Sequence, residues 1–172
     1  KPEAKPVKER AAALQEIANG KAKIFEGQSG IDLLDTHPLG LMGTMPGGEI
    51  PWAIIKLWDC LENNDLELAQ SIHNLVSQLV AFQQNIDGYV AVEKYLLVKQ
   101  GIFDSARQRG PVRTILSDQV KSDIDKIFDK LVKVVKNEIT NVNIEQLYYD
   151  VKGRAKMEVT TRLIDFYSLK LV

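Results

Sequence analysis

The sequence contains one cysteine and two histidines, and their spacing does not match that of a metal site or a catalytic triad. Cys60 is the single cysteine, so no internal disulfide is possible, and such a residue is typically a small buried side chain. His37 and His73 show neither metal-ligand spacing nor a triad partner, and we assign both to surface or capping roles. We therefore expect no metal site.

Two glycines, Gly47 and Gly48, stand before Glu49 and a helix start at Pro51. Backbone amides ahead of a helix can form an anion-binding nest, and a glycine pair can also act as a mobile lid. The sequence contains no P-loop and no G-x-G-x-x-G motif. A phosphate-binding β/α enzyme is therefore only a minor alternative, ranked below the two functions given at the end of this subsection.

The composition of the chain is that of an ordinary globular domain. Its 172 residues are 45% hydrophobic and 26% charged, which is enough for one packed core. The net charge is -1 with both signs interspersed, so we expect no nucleic-acid partner. No apolar run is long enough for a membrane span and no signal peptide is recognisable, and with a lone cysteine this favours a cytoplasmic setting.

Helices and strands alternate in the first part of the chain. Apolar periodicity predicts helices at 7–19 and 31–35 and strands at 22–26 and 39–44. Short connections between alternating elements indicate parallel strands with helical crossovers. Because a closed barrel of this type needs eight strands, the pattern is typical of the end of a larger α/β structure.

From Pro51 onward the pattern is helical. Amphipathic periodicity predicts helices at 51–63, 65–86, 89–100 and 117–136, and one or two further helices in the tail. Proline at a helix start is favourable because its missing N–H would have no partner there.

Four motifs resemble one enzyme family. In chain order they are KPEA at residues 1–4, IFEGQSG at 24–30, GLMGTMP at 40–46, and EKYL through SARQRGP at 93–111. They are similar to the region after the sixth barrel strand, the seventh strand, the eighth strand, and the following helix and loop of the dihydrodipicolinate synthase/N-acetylneuraminate lyase family.

The resemblance implies the C-terminal part of a (β/α)8 TIM barrel, with its last two or three β/α units, followed by a C-terminal helical region. On this basis residues 1–50 are the barrel part and residues 51–137 the helical region of the family. Residues 138–172 are an extra helical tail of unknown role. The chain begins with lysine rather than methionine, which also suggests a fragment.

Lys1 matches the lysine that forms the Schiff base in this family. The resemblance implies attack on pyruvate or another 2-keto acid, after which the iminium serves as an electron sink for aldol cleavage, condensation or dehydration. An unperturbed lysine is neutral in only about one molecule per few thousand at pH 7, so the site must favour the neutral amine. Without the resemblance, Lys1 would be interpreted as an exposed lysine.

The same resemblance assigns substrate binding to Gly27, Met42, Gly43 and Thr44. Gly27 serves the close approach of substrate or only a turn, and Met42 lines the pocket or packs the barrel. Glu26 and Gln28 could hydrogen-bond a hydroxylated substrate or be structural.

The proton-relay tyrosine of the family and its carboxylate-binding hydroxyls would lie on earlier strands, so we expect this chain to be inactive alone. The resemblance implies no cofactor, a 2-keto acid as substrate, and a homo-oligomer, either a dimer or a tetramer. The alternative from a different class is a non-catalytic helical module for oligomerisation or interaction, formed by residues 51–172.

Overall fold

Helices make up most of the structure, a computed structural model that describes residues 1–139. The helices are α1 (Val7–Ile17), α2 (Leu33–Thr36), α3 (Pro51–Glu62), α4 (Leu66–Val80), α5 (Ile86–Lys99) and α6 (Asp118–Ile139), and the strands are β1 (Phe25–Glu26) and β2 (Gly43–Thr44). Lys1–Val132 form one compact unit. The helices predicted for the tail lie outside the described residues.

The two strands form a parallel pair, as predicted from the helical crossover between them. Phe25 lies opposite Gly43, and Glu26 lies opposite Thr44. Each strand has only two residues, fewer than the predicted ranges 22–26 and 39–44. Before β2 the chain forms a 3-10 turn at His37–Leu39. It then passes through Gly40 at φ 77°, a left-handed conformation that interrupts extended backbone.

Helix α1 packs against the base of this small sheet. Ala11 is fully buried and forms a cluster with Ile24, directly before β1, and Leu41, two residues before β2. The two later apolar positions of the predicted helical stripe, Leu14 and Ile17, are exposed. The contact therefore uses only the first turns of α1, and it fixes the approach of both strands.

Helices α3 and α4 form the main helical core of the described residues. Leu57 of α3 and Ile72 of α4 are both fully buried. Their starts are specified locally: Pro51 is the first residue of α3, and the side chain of Asp65 caps α4 by accepting from the N–H of Leu68.

The boundary between the helices predicted at 65–86 and 89–100 lies earlier in the structure than predicted. Helix α4 ends at Val80, and a turn follows in which the N–H of Gln83 donates to the carbonyl of Val80. Asn85 then caps α5 through its side chain, which accepts from the N–H of Gly88. Helix α5 therefore begins at Ile86 rather than at the predicted residue 89.

The start of α6 is tied to α5 by a polar contact. The hydroxyl of Tyr95 donates to Asp125 over 2.9 Å, and the same carboxyl group pairs with Lys99 at 2.9 Å.

Among the residues that the structure describes, no helix combines the length and apolar character needed to cross a membrane.

Candidate functional site

Lys1 forms a close ion pair with the next acidic residue in the chain. Its Nζ lies 2.5 Å from Oε1 of Glu3, and the Lys1 side chain remains 39% exposed. The hydrogen bond and positive charge of Lys1 lower the pKa of the Glu3 carboxyl below its ordinary value.

Gly27 allows this pair to lie against the end of β1. A Cβ atom at Gly27 would be 2.6 Å from Cγ of Glu3 and 3.0 Å from Cγ of Lys1. Gly27 does not have a positive φ, so its backbone conformation alone does not require glycine. The requirement is steric, and the space beside Gly27 is filled by the Lys1 segment. Two of the five predicted site residues, Lys1 and Gly27, therefore lie side by side.

Glu26 organises the turn that follows β1. This carboxylate is fully buried and accepts from the backbone N–H of Gln28 at 2.5 Å and of Gly30 at 2.9 Å. It also accepts a short hydrogen bond from the hydroxyl of Thr44, the residue opposite it in the sheet. Three donors thus surround one buried carboxylate, which is the arrangement that compensates its loss of solvation.

The other three predicted site residues lie in β2 or directly before it. The hydroxyl of Thr44 donates to Glu26, as described above. At Gly43 an added Cβ would be 2.9 Å from the ring of Phe25, so glycine accommodates that ring. The side chain of Met42 is 56% exposed. Within the described residues, Met42 is therefore not part of a packed core.

A continuous set of hydrogen bonds connects Thr44 to Lys1. From Thr44 it passes to Glu26 and then to the backbone of Gln28, whose side-chain amide donates to the carbonyl of Glu3 at 2.7 Å. The Glu3 carboxylate then meets Lys1. Glu3 belongs to the K-x-E-A motif, yet sequence analysis gave it no role. Its spacing of two residues from Lys1 was the available signal.

The loop before α3 is occupied by carboxylates of the chain. The N–H of Gly48 donates to Glu93 at 2.7 Å, so this amide is not free for an external anion. Glu49 is buried against Gly47 and accepts from the side chain of Gln83 at 2.7 Å. The phosphate-binding interpretation of this loop finds no support in this arrangement.

Burial also affects the acidity of groups around this loop. Burial raises the pKa of Glu49 above its ordinary value, and the negative charge of Glu93 acts in the same direction. Burial and the charges of Glu93 and Glu49 raise the pKa of Tyr89 to about 12. The tyrosine is therefore a neutral hydrogen-bonding group at physiological pH.

Both histidines make structural contacts. Nε2 of His37 lies 2.8 Å from Glu62, and its ring meets Trp58 edge-on at 4.7 Å between centroids. Nε2 of His73 lies 2.8 Å from the carbonyl oxygen of Ile31. Over residues 1–139, no group of three or more His, Cys, Asp or Glu side chains is arranged to hold a metal ion.

Two surface clefts lie away from the predicted site. One, of about 450 Å³, is lined by residues of α2 and the start of α4, including Leu34 and Leu66. The other, of about 350 Å³, lies beside the end of α4 and is lined by Phe82 and Ile115. Neither is lined by Lys1 or the other predicted site residues, and Lys1 stands on an open surface of the described part.

The comparisons with known proteins give one informative similarity. No family model matches the sequence, and no curated protein matches it. Among solved structures, the chain is similar to a dihydrodipicolinate synthase from Rhodopseudomonas palustris, with a TM-score of 0.67 and 22% sequence identity. The match covers 75% of this chain and 44% of that one.

This similarity is one of fold. At 22% identity it does not carry the activity of that synthase over to this chain. The chain spans less than half of the length of the solved structure that it matches. The fold relationship that the four motifs predicted is thereby confirmed, as similarity to part of the synthase fold.

Proposed function

We propose that this chain is the C-terminal part of a lyase or aldolase of the dihydrodipicolinate synthase family. The complete enzyme would act on pyruvate or another 2-keto acid through a Schiff base on Lys1, and would catalyse aldol cleavage, condensation or dehydration. The observation that carries the proposal is the position of Lys1 against Gly27, the residue directly after β1.

The carboxyl ends of parallel strands are where β/α enzymes bind their substrates, because the loops there converge. Gly27 follows β1 directly, and Thr44 is the last residue of β2. The amine of Lys1 is therefore next to the edge at which a substrate would bind. The fold similarity to a dihydrodipicolinate synthase supports the interpretation of these strands as part of a barrel.

In the proposed site the other residues bind substrate. Gly27 and Gly43 would present their backbone to it at the strand ends, and Met42 would contribute an apolar surface. The hydroxyl oxygen of Thr44 keeps acceptor capacity because its proton is directed to Glu26. Since Lys1 is partly exposed in the described residues, the remaining barrel units would cover it and lower the polarity around its amine.

The remaining features of the complete protein follow from the same proposal. Its chemistry needs no metal or organic cofactor, because the lysine iminium is itself the electron sink. We further propose a cytoplasmic homo-oligomer, either a dimer or a tetramer. Residues 1–50 would complete the barrel, residues 51–137 would be the helical region of the family, and residues 138–172 would be an additional tail.

Reductive trapping tests the proposal. The complete protein, including the remaining barrel units, is purified and incubated with pyruvate and borohydride, and the labelled lysines are identified by peptide mass spectrometry. We expect Nζ of Lys1 to be reduced to a stable secondary amine faster than that of Lys5 and Lys8. Those two lysines are internal controls, because both are exposed and paired with carboxylates. Equal labelling of all three lysines would show that Lys1 is an ordinary surface amine and would overturn the proposal.

Fragmentation of the labelled peptide is required, because an α-amino group also condenses with ketones. The label must lie on Nζ of Lys1 and disappear in Lys1→Arg, which keeps the positive charge but cannot form the Schiff base. Retention of the label in Lys1→Arg would assign the reaction to another amine.

A helical interaction module is the second candidate function. Within residues 51–172, Leu66 and Ile86 are large apolar side chains at helix starts, and each is more than 60% exposed. Side chains of this kind bind other proteins where they form a contiguous patch. This function predicts self-association that does not depend on Lys1, together with no selective trapping.

A further inference from the structure

Glu3 is held beside Lys1 by the rest of the site. The 2.5 Å contact between its Oε1 and Nζ of Lys1 is of hydrogen-bond length. An isolated ion pair between two exposed side chains would contribute little to stability and would not fix the position of either side chain. The position of Glu3 is fixed by two further contacts with the turn after β1.

The first contact is made by the backbone of Glu3. Its carbonyl oxygen accepts from the side-chain amide of Gln28 at 2.7 Å, and Gln28 is itself tied through its N–H to the buried carboxylate of Glu26. The second contact is steric, since the Glu3 side chain fills the space left by the missing Cβ of Gly27. Both contacts hold Glu3 beside the end of β1, where its carboxylate meets Nζ of Lys1.

The chemistry of a Schiff base requires such a group. The amine must lose a proton before it can attack, and the oxygen of the addition product must gain one before it leaves as water. An ordinary glutamate is a carboxylate at neutral pH and can therefore accept a proton. The hydrogen bond and positive charge of Lys1 lower the pKa of Glu3, which keeps it ionised in the resting ion pair.

We propose that Glu3 is a catalytic residue that accepts and returns the protons of Lys1 during Schiff-base formation, an inference that rests on the function proposed above. Its carboxylate first removes one proton from the Lys1 ammonium, which leaves a neutral amine and a neutral carboxyl group. The nitrogen lone pair then attacks C2 of the 2-keto acid, and the carbonyl π electrons move to oxygen. One nitrogen proton passes to that oxygen, which gives the carbinolamine.

In the second half of the sequence the carboxyl group of Glu3 protonates the carbinolamine hydroxyl. The C–O bond breaks, water leaves, and the nitrogen lone pair forms the iminium with C2. Glu3 is then a carboxylate again. The sum is one ammonium group and one ketone giving one iminium and one water, so no further reactant is needed.

The test compares the rates at which pyruvate and cyanoborohydride label Nζ of Lys1 in the wild type, Glu3→Gln and Glu3→Ala. Glutamine keeps the shape of the side chain and an oxygen acceptor for Lys1, but it cannot take up a proton. We expect labelling of Glu3→Gln to be slower by about a hundredfold, the lower range for the loss of a general acid–base group. Glu9→Gln, at an exposed position in the first turn of α1, is the matched control and should label at the wild-type rate.

Added acetate separates a catalytic role from a positional one. Acetate should restore part of the rate in Glu3→Ala, where it can replace the missing carboxylate, and should not restore it in Glu3→Gln, where the space is filled. A slow Glu3→Ala that acetate does not accelerate would overturn the catalytic role.

The outcomes also separate this inference from the proposed function. Absence of selective labelling in the wild type overturns the proposed function, and this inference with it. Selective labelling of Lys1 at the same rate in the wild type and in Glu3→Gln overturns only the role of Glu3.

Discussion

Gln28 donates its side-chain amide to the carbonyl oxygen of Glu3, 2.7 Å away, across 25 positions of the sequence. The same residue donates its backbone N–H to Glu26, the buried carboxylate that also holds Thr44. One residue thus joins the segment of Lys1 to the two-stranded sheet. A disturbance of the turn after β1 should therefore reach the Lys1 amine.

Substitution of Gly27 tests the steric part of this relationship. In Gly27→Ala the new methyl group would displace Glu3 and Lys1, so selective labelling of Lys1 by pyruvate and reductant should fall by about tenfold or more, as misplaced reacting groups do. The free energy of unfolding should change by less than about 1 kcal/mol, because the displaced side chains are exposed and can move.

Gly110→Ala is the matched control, since an added Cβ there meets no atom within 4 Å. Trapping kinetics and urea unfolding measured on both variants provide the comparison. Equal trapping by Gly27→Ala and the wild type would mean that the close approach at Gly27 has no part in positioning Lys1.

Glu26 should contribute to stability through its three hydrogen bonds. In Glu26→Gln one of the oxygens is replaced by an amide that cannot accept from the N–H of Gly30 or the hydroxyl of Thr44. Hydrogen bonds to charged groups contribute about 1.5–3 kcal/mol, and we expect a loss in this range by urea denaturation. Thr44→Val removes a single donor and should cost less, while the exposed Glu16→Gln should be neutral. A Glu26→Gln variant as stable as Glu16→Gln would contradict the structural role.

Glu49 should make stability depend on pH. Its pKa is raised by burial in the folded state, so between the ordinary value of 4.5 and the raised value the folded protein binds more protons than the unfolded chain. The free energy of unfolding should therefore fall as the pH rises through this window, by at most about 1.4 kcal/mol per pH unit, and become constant above it.

The measurement is urea denaturation at a series of pH values for the wild type, Glu49→Gln and Glu16→Gln. Glu49→Gln should lose this part of the slope, and the curve of Glu16→Gln should run parallel to that of the wild type. If wild type and Glu49→Gln keep the same slope throughout the window, Glu49 is not the group responsible.

The helical core predicts a contrast between neighbouring positions of α3. Leu57 is fully buried and Ile55 is 48% exposed. Leu57→Ala should lower the free energy of unfolding by about 2–5 kcal/mol, because it removes buried methyl groups and leaves a cavity. Ile55→Ala should cost well under half of that. Thermal or urea unfolding of the two variants decides, and comparable losses would mean that Ile55 is buried in the protein in solution.

The sequence predicted the order of helices and strands because apolar periodicity is a local property. Pro51 and Asp65 specify helix starts within a few residues, and the corresponding helices begin at or next to the predicted positions. The break between α4 and α5 was predicted, but several residues too late, because apolar spacing continues through Phe82, although Asn85 carried the signal of a cap. Leu39 was assigned to a strand for the same reason, although Gly40 marked the end of a turn.

The candidate site was less accessible to sequence analysis. Family resemblance singled out Lys1 and Gly27, and the structure places them in contact. The role of Glu26 depends on Thr44, a partner 18 positions away, and no periodicity reports such a contact. Glu3 was in view within the motif, but its attachment to Gln28 requires the three-dimensional arrangement.

The bond between Gly48 and Glu93 has a consequence for ligand screening. A carboxylate tethered in the same molecule competes with any dissolved anion at an effective concentration in the millimolar range or higher. Sulfate or phosphate at ordinary buffer strength would have to displace this built-in competitor from the Gly48 amide. Only charge-removing substitution, as in Glu93→Ala, would unmask an amide that such salts can occupy.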